Sequence, residues 1–335
     1  MEKKKINFSL NKKIFPYFLR SLFFFTNYVF SKINILSLKK NYSYFNQNKI
    51  TIFSYFVHLK KYNNKDRINL WGGIDKILNK RNKKINMIND FSPSNDVPNS
   101  SIFLNKIKLM SNKHNSYIPL DMYFSLIDIF KVKINYLFIY LNFFLLKNRE
   151  KYFYYKKIKI NFYHFLKDDF KSSFYGETLV KNLIYICIFE NLFSKISKQN
   201  NAFYLYENQG WEKALVTSWK KYNHGNLVGS INSTIRFWDL RYFQSKKLFN
   251  FHLNFPNFIL VNGHLSKKIA NKANILKKKN RIIEVEALRY QYMLELRKNK
   301  NKKNRNVIIF GDISVDENFE IGKVLSEIKN SLKKN

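Results

Sequence analysis

The chain is poor in cysteine, which forms disulfides, and in proline and glycine, which favour turns. It contains one cysteine, five prolines and nine glycines in 335 residues. The single cysteine, Cys187, excludes an intramolecular disulfide framework and a cysteine zinc site. The hydrophobic fraction of 45 % is that of a globular chain rather than a disordered one. We therefore expect a protein that folds without covalent staples in a reducing compartment, with enough length for two ordinary domains.

Arginine is also scarce. The formal net charge is +37, and of the 60 basic residues 50 are lysines and ten are arginines. Such a charge suits nucleic acid or an anionic membrane surface. However, lysine, asparagine, isoleucine, phenylalanine and tyrosine share AT-rich codons, so genome composition accounts for most of the excess. Arginine is preferred for bidentate phosphate and base contacts, and residues 150–235 contain none.

The sequence has no long uninterrupted apolar run. Phe15–Phe30 contains Arg20 and Asn27, and no small-residue cleavage site of a secretory signal follows it. Ile134–Leu146 is shorter than the ~20 apolar residues of a transmembrane helix. Both segments are predicted to be buried or interfacial aromatic helices.

Short apolar runs alternate with helical patterns, which is typical of a doubly wound α/β sheet of Rossmann-like fold. We predict three regions: an aromatic and basic N-terminal segment (1–49), a Rossmann-like domain (50–290), and a strand-helix unit (306–335). Residues 80–118, with Pro93 and Pro98, predict a long polar surface excursion. The predicted strands are Ile50–Leu59, Phe203–Tyr206, Leu227–Gly229, Phe258–Val261, Ile282–Val285 and Val307–Phe310.

Ligands of open parallel sheets bind outside the carboxyl ends of the strands. Polar residues follow the carboxyl ends of four predicted strands. They are Glu207, Asn208, Gln209, Asn232, Ser233, Thr234, Arg236, Asn262, Glu286 and Arg289. Glu207 is the candidate general base or acceptor of a sugar hydroxyl, or alternatively a carboxylate that complements a helix dipole. Arg236 either binds an anion or pairs with a loop carboxylate such as Asp239. The histidines show no metal-ligand spacing, so no metal site is predicted.

Two segments carry a family resemblance. YLYENQGWEKALVTSWKKYNHGNLVGSINSTIRFWDLRYF (Tyr204–Phe243), followed by VNG (Val261–Gly263) and EVEALRY (Glu284–Tyr290), resembles glycosyltransferase-like proteins of bacterial O-antigen and capsule biosynthesis. ITIFSYFVHL and INLWGGIDKIL (Ile68–Leu78) are similar to earlier motifs of that family. The resemblance implies a GT-B-like architecture, in which two Rossmann-like halves face each other across a cleft. Its implied cleft residues are Glu207, Asn208, Gln209, Ser233, Thr234, Arg236, Asp239 and Arg241.

The chain departs from the family pattern in two ways. Asn232 stands where such proteins often have a histidine, and an asparagine cannot transfer a proton. After Val307–Phe310 and its helix the sequence stops, so we expect the acceptor-side half and only the start of a donor-side half.

Three functions follow as expectations. The first is transfer of a sugar from a nucleotide-activated donor to a glycan or lipid-linked acceptor. In it Glu207 activates the acceptor hydroxyl, Arg236 and Arg289 hold anionic groups, and the nucleotide sugar is a co-substrate with no further cofactor. The second is an inactive acceptor-side remnant or scaffold, and the third is a basic RNA-binding protein, which the lack of an RNA-binding signature disfavours. The first predicts a cytoplasmic location and allows peripheral contact with an anionic inner membrane face.

Overall fold

The computed structural model describes residues 9–45, 49–57, 59–62, 65–146, 148–156, 158–232, 235, 240–243, 255–276, 281–287 and 321–327. The chain forms two compact units, Met1–Gln291 and Tyr292–Asn335. In the second unit residues 321–327 form a helix. The predicted strand Val307–Phe310 lies outside the described residues.

The first unit contains the sheet and its helices. The strands are β1 (Lys49–Tyr55), β2 (Leu59–Tyr62), β3 (Lys65–Ile68), β4 (Lys84–Asp90), β5 (Asn115–Pro119), β6 (Tyr154–Tyr155), β7 (Ile160–Asn161), β8 (Asn201–Leu205), β9 (Asn226–Ser230), β10 (Phe258–Asn262) and β11 (Ile282–Val285). The α-helices are α1 (Ser9–Ser31), α2 (Ile33–Leu36), α3 (Ile74–Lys80), α4 (Ser100–Met110), α5 (Leu126–Leu145), α6 (Tyr163–Tyr175), α7 (Glu177–Phe193), α8 (Gly210–Lys221) and α9 (Gly263–Lys272). Short 3-10 turns at Asn69–Trp71, Leu120–Tyr123, Arg149–Phe153 and Leu240–Tyr242 join some of them.

Seven strands form one sheet in the order β11-β10-β9-β8-β1-β4-β5, and every neighbouring pair is parallel. The chain builds outward from β1 through β4 to β5, and it then returns to the other side of β1 to place β8, β9, β10 and β11. The strand order therefore reverses between β1 and β8. This arrangement confirms the predicted α/β, Rossmann-like doubly wound fold.

The core lies where the central strands meet the helices. Strands of a sheet covered on both faces are buried along their length, and Thr51 to Ser54 of β1 are all buried. The ring of Phe53 makes edge contacts with Phe189, Phe193 and Trp219, with centroid separations of 5.9–6.5 Å. These contacts fix α7 and α8 against the strand next to the reversal of the sheet.

The prediction of a surface excursion over residues 80–118 is wrong, because this stretch contains β4, α4 and β5. Its strand residues Asn86, Asn89 and Asn115 are buried, and the side-chain NH₂ groups of the first two donate hydrogen bonds. The side chain of Asn86 donates to the carbonyl of Tyr44 at 3.0 Å, and that of Asn89 donates to the carbonyl of Met87 at 2.8 Å. Hydrogen bonds of this kind allow polar residues in a buried strand, which a reading based on polarity misses.

The N-terminal segment 1–49 belongs to the same compact unit as the sheet. In α1, the hydroxyl of Ser21 donates to the carbonyl of Tyr175 at 2.9 Å, and the rings of Tyr17 and Tyr175 meet edge to face. The predicted strand Ile50–Leu59 is shorter than expected, since β1 ends at Tyr55. Across the described part of the chain, every helix is either too short or too polar to cross a bilayer.

Candidate ligand site at the carboxyl edge of the sheet

The reversal between β1 and β8 places the carboxyl ends of these two strands side by side. Open α/β sheets bind ligands in the crevice at such a reversal. The chain leaves β8 through Tyr206, whose N–H donates to the carbonyl of Ser230 at 2.9 Å. Glu207, Asn208 and Gln209 then form a short loop, all three half-buried, before α8 begins at Gly210.

Glu212, in the first turn of α8, organises this loop. Its carboxylate is buried and accepts the backbone N–H groups of Glu207 at 2.8 Å and of Asn208 and Gln209 at 3.0 Å. Burial raises the pKa of Glu212 to about 7, although the three N–H groups act in the opposite direction. The backbone N–H groups at the beginning of a helix have no partners within the helix. Gln209 is the N-cap of α8, and a carboxylate three residues after the N-cap accepts hydrogen bonds from such N–H groups.

A side chain of α7 lies close to the start of α8. A Cβ at Gly210 would collide with the side-chain amide of Asn182, which α7 presses against this turn. Asn208 has a positive φ of 57°, a backbone conformation that asparagine tolerates better than most residues. The local sequence therefore suits a tight turn between β8 and α8.

A chain of hydrogen bonds joins β1 to Glu207. The indole N–H of Trp211 donates to the hydroxyl of Tyr55, and this hydroxyl donates to Oε1 of Gln209 at 3.1 Å. The amide of Gln209 in turn donates to Oε2 of Glu207 at 2.6 Å. Burial raises the pKa of Tyr55, which keeps its hydroxyl a donor. The direction of the chain makes Glu207 the final acceptor, and its Oε1 atom has no hydrogen-bond partner among the described residues.

These contacts separate the two roles considered for Glu207. Glu212, and not Glu207, accepts the N–H groups at the beginning of α8. The carboxylate of Glu207 is instead held at one oxygen by Gln209. Among the described residues, its other oxygen accepts no hydrogen bond.

Three of the predicted residues, Asn208, Arg241 and Asn232, take part in hydrogen bonds between the loops at this edge. The amide of Asn208 donates to the carbonyl of Arg241 at 2.6 Å, which ties the loop to the turn Leu240–Tyr242. The exposed guanidinium of Arg241 lies 5.6 Å from the ring centroid of Tyr242. Asn232 donates to the carbonyl of Leu70 at 2.7 Å and accepts the hydroxyl of Ser230 at 3.2 Å. Asn232 therefore fastens the end of β9 to a neighbouring loop.

The other predicted residues are not brought to Glu207 by the described structure. Asn262 ends β10, two strands from β8, and Glu286 follows β11, three strands away. At the ~4.8 Å spacing of strands these ends lie about 10 Å and about 14 Å from β8. Ser233, Thr234, Arg236, Asp239 and Arg289 lie outside the described residues.

A second polar cluster at the same edge has no counterpart in the sequence-based prediction. The ammonium group of Lys32 lies 2.8 Å from Oδ2 of Asp121 and 3.6 Å from Oδ1 of Asp90, which ends β4. Tyr185 donates to Asp90 at 2.6 Å, and Tyr28 donates to Asp121 at 2.7 Å. Burial raises the pKa of Asp90. Burial by itself lowers the pKa of Lys32, but the charge of Asp121 and then that of Asp90 leave it raised overall.

This second cluster borders a cavity of about 210 Å³, to which Lys32, Asp90 and Lys181 contribute charge. The cavity lies at the end of β4, the strand on the other side of β1 from β8. The rings of Tyr185 and Trp211, 6.2 Å apart, link the two clusters. Their residues come from distant parts of the chain, so only the order of the strands reveals that they are neighbours.

Sequence reasoning missed Tyr55, Glu212 and the Lys32 cluster as parts of the site. The spacing Gln209-x-x-Glu212 is a capping-box pattern and was a usable signal for Glu212. No sequence signal places Tyr55 beside Gln209, because that contact depends on the pairing of β1 with β8.

The fold and this edge define a Rossmann-like α/β protein with a polar, partly buried carboxyl edge at the reversal of its sheet. Comparison of the chain with protein-family models, curated proteins and solved structures finds no match. Within the described ranges, no group of His, Cys, Asp and Glu side chains is arranged to hold a metal ion.

Proposed function

We propose that this chain is a glycosyltransferase-like protein whose carboxyl edge between β1 and β8 binds a sugar acceptor. One observation carries the proposal: Glu207 is half-buried at the reversal of the sheet, Gln209 holds one of its oxygens at 2.6 Å, and the other oxygen has no partner among the described residues. A carboxylate oriented in this way accepts a strong hydrogen bond from a sugar hydroxyl. The resemblance of Tyr204–Phe243 to proteins of O-antigen and capsule biosynthesis supports the choice of a sugar.

In the proposed reaction, Glu207 accepts the proton of the acceptor hydroxyl as that oxygen attacks the activated sugar carbon. The bond from that carbon to the nucleotide phosphate breaks, and the negative charge moves to the leaving nucleotide. Arg236 and Arg289 are the proposed partners of that charge, and a nucleotide sugar is the proposed donor. The hydrogen-bond chain from Trp211 through Tyr55 and Gln209 orients Glu207 before the acceptor arrives. We place this activity in the cytoplasm.

The test combines binding with turnover. Saturation-transfer NMR with a panel of mono- and oligosaccharides measures acceptor binding, and release of nucleoside diphosphate from UDP- and GDP-sugars measures transfer. We expect Glu207→Gln to lower transfer by about 10²–10⁴-fold, which is the usual effect of losing a general base. Glu190→Gln, at an exposed carboxylate on α7, is the matched control and should leave both readouts unchanged.

The outcomes separate the alternatives. If Glu207→Gln transfers sugar as fast as the unmodified chain, Glu207 is not the base. If the unmodified chain binds sugars through Glu207 but transfers none, the acceptor-side remnant is the better description. A chain that binds no saccharide and binds RNA with a steep salt dependence would replace the proposal with the RNA-binding alternative.

A further inference from the structure

Helix α5 presents apolar side chains on two opposite faces. One face carries Asp128, Val132, Tyr136 and Phe143, which are buried against the rest of the unit. Nine other large apolar side chains of this helix are exposed, among them Phe130 at 65 % and Phe138 at 66 %. At 3.6 residues per turn the exposed apolar residues cover an arc of about 120° that lies opposite the buried face. A helix of a soluble protein normally turns charged or polar residues toward that side.

The exposed apolar face of α5 continues onto α1. A groove of about 220 Å³ runs between the two helices, and its lining includes Leu22 and Phe25 from α1 and Val132 and Leu137 from α5. Leu22, which lines the groove, and Leu19, one turn before it on α1, are themselves exposed. Large contiguous apolar patches on a protein surface mark interaction sites.

The exposed charged side chains that α5 and α1 themselves contribute are basic. Lys131 and Lys133 are the exposed charged residues of α5, and its one acid, Asp128, is buried. The sequence of α1 contains no acid, and its Arg20 is exposed. Lys131 pairs with Asp128 at 3.3 Å. The other exposed charges of the two helices are therefore positive.

The segment after α5 adds aromatic residues of the kind found at membrane interfaces. Arg149 donates to the carbonyls of Phe143 and Leu146 at 2.9 Å, which fastens this segment to the end of α5. Beyond it, Tyr152, Tyr154 and Tyr155 are exposed near the β6–β7 turn, together with Lys151 and Lys156. Tyrosine and lysine are enriched where protein meets lipid headgroups.

We infer that the exposed apolar face of α5 and α1 docks onto an anionic membrane surface, with α5 lying in the plane of the interface. Amphipathic helices bind in this way, since their apolar face enters the headgroup and acyl boundary while flanking lysines meet anionic lipids. The charge favours lipid over a second copy of the chain, because two such faces would bring lysines of the same sign together. This inference uses no residue of the sugar site, and its test measures lipid binding, so either proposal can fail without the other.

The first experiment places a fluorescent probe on the face of the full-length chain. Phe138→Trp puts an indole on the exposed side of α5, and Leu109→Trp puts one on α4, where Leu109 is 85 % exposed. Vesicles of phosphatidylcholine and phosphatidylglycerol that contain brominated lipid should quench the added tryptophan at position 138 and leave that at position 109 unchanged. Of the four native tryptophans, Trp71, Trp211 and Trp219 are buried and Trp238 lies outside the described residues. All four are common to both variants, so they contribute the same background.

The second experiment measures the strength of binding by vesicle sedimentation. Replacing Phe130, Ile134 and Phe138 together by glutamine should weaken partitioning at least about 100-fold, because three apolar side chains no longer leave water. Glutamine is a good helix former and these positions are exposed, so helical circular dichroism should be retained. Leu109→Gln with Leu265→Gln is the control and should bind normally. Lys133→Gln should weaken binding to anionic vesicles about fivefold.

Three results would overturn the inference. One is equal quenching of the two tryptophan variants. Another is equal binding of the triple glutamine variant and its control. The third is the absence of vesicle binding together with a dimer, seen by ultracentrifugation, that the triple glutamine variant dissociates. That last result would make the face an interface between copies of the chain.

Discussion

Glu212 and the pair Asp90 and Asp121 are carboxylates buried at the same edge of the sheet, but they are compensated in different ways. Glu212 accepts three backbone N–H groups from the loop just before it. Asp90 and Asp121 share the ammonium group of Lys32 and accept hydrogen bonds from two tyrosines. Glu212 is stabilised by backbone dipoles of its own loop. Asp90 and Asp121 are stabilised by the full positive charge of Lys32, which directly follows α1.

This difference shows how far each cluster depends on the rest of the fold. The partners of Glu212 lie within five residues of it, so the loop and first turn of α8 bring them together. Lys32 and Asp121 are separated by 89 residues, so they meet only after β4, β5 and α1 have packed. We therefore expect the Lys32 cluster to be the more sensitive of the two to loss of a single partner.

Lys32→Met should produce the largest effect. Methionine has a similar length but no charge, so Asp90 and Asp121 would remain buried without their cation. Breaking a buried ion pair from one side costs about 3–5 kcal/mol. Denaturant unfolding followed by circular dichroism measures this loss.

A double variant tests the cause of that loss. Adding Asp121→Asn to Lys32→Met removes one of the stranded charges, so part of the stability should return. A loss below about 1 kcal/mol in Lys32→Met would show that the cluster is not held by this ion pair.

Glu212→Gln should have a smaller effect, and one that depends on pH. The pKa of Glu212 is about 7 in the folded chain against an ordinary value of 4.5, so between these values the folded state binds more protons than the unfolded state. The contribution of Glu212 to the free energy of unfolding is therefore complete below about pH 4.5 and falls as the pH rises toward 7. The full change is about 3 kcal/mol.

The measurement compares urea midpoints of the unmodified chain and Glu212→Gln between pH 4 and pH 8. The difference in unfolding free energy should decrease with rising pH, because the glutamine does not titrate. A difference that stays constant, or that grows with pH, would mean that the three N–H groups outweigh the effect of burial on this pKa.

Lys221→Met should have the smallest effect. Lys221 pairs with Glu190, and the two side chains are 55 % and 40 % exposed to solvent. Exposed ion pairs contribute about 0–1 kcal/mol, so the midpoint of unfolding should hardly move. If Lys221→Met cost as much as Lys32→Met, burial would not be what separates the two ion pairs.

Much of the fold could be predicted from the sequence. The predicted strands Phe258–Val261 and Ile282–Val285 match β10 and β11 to within one residue, because short apolar runs between turn residues are a local signal. The prediction for residues 80–118 was wrong. β4 and β5 contain buried asparagines, and a prediction based on polarity assigns such residues to the surface. The candidate site was predicted in part: Glu207, Asn208 and Gln209 lie where the strand ends placed them, but Tyr55 was not anticipated.

The sequence alone determined the local elements of this protein: the apolar strands, the start of α8 after Gln209, and the polar residues at the strand ends. These features depend on periodicity and capping within a few residues. The tertiary structure alone decided that β1 lies beside β8, that Lys32 meets Asp121, and that α5 buries one apolar face while exposing the other. Each of these depends on which distant segments pack together, and a local pattern contains no information about its partner.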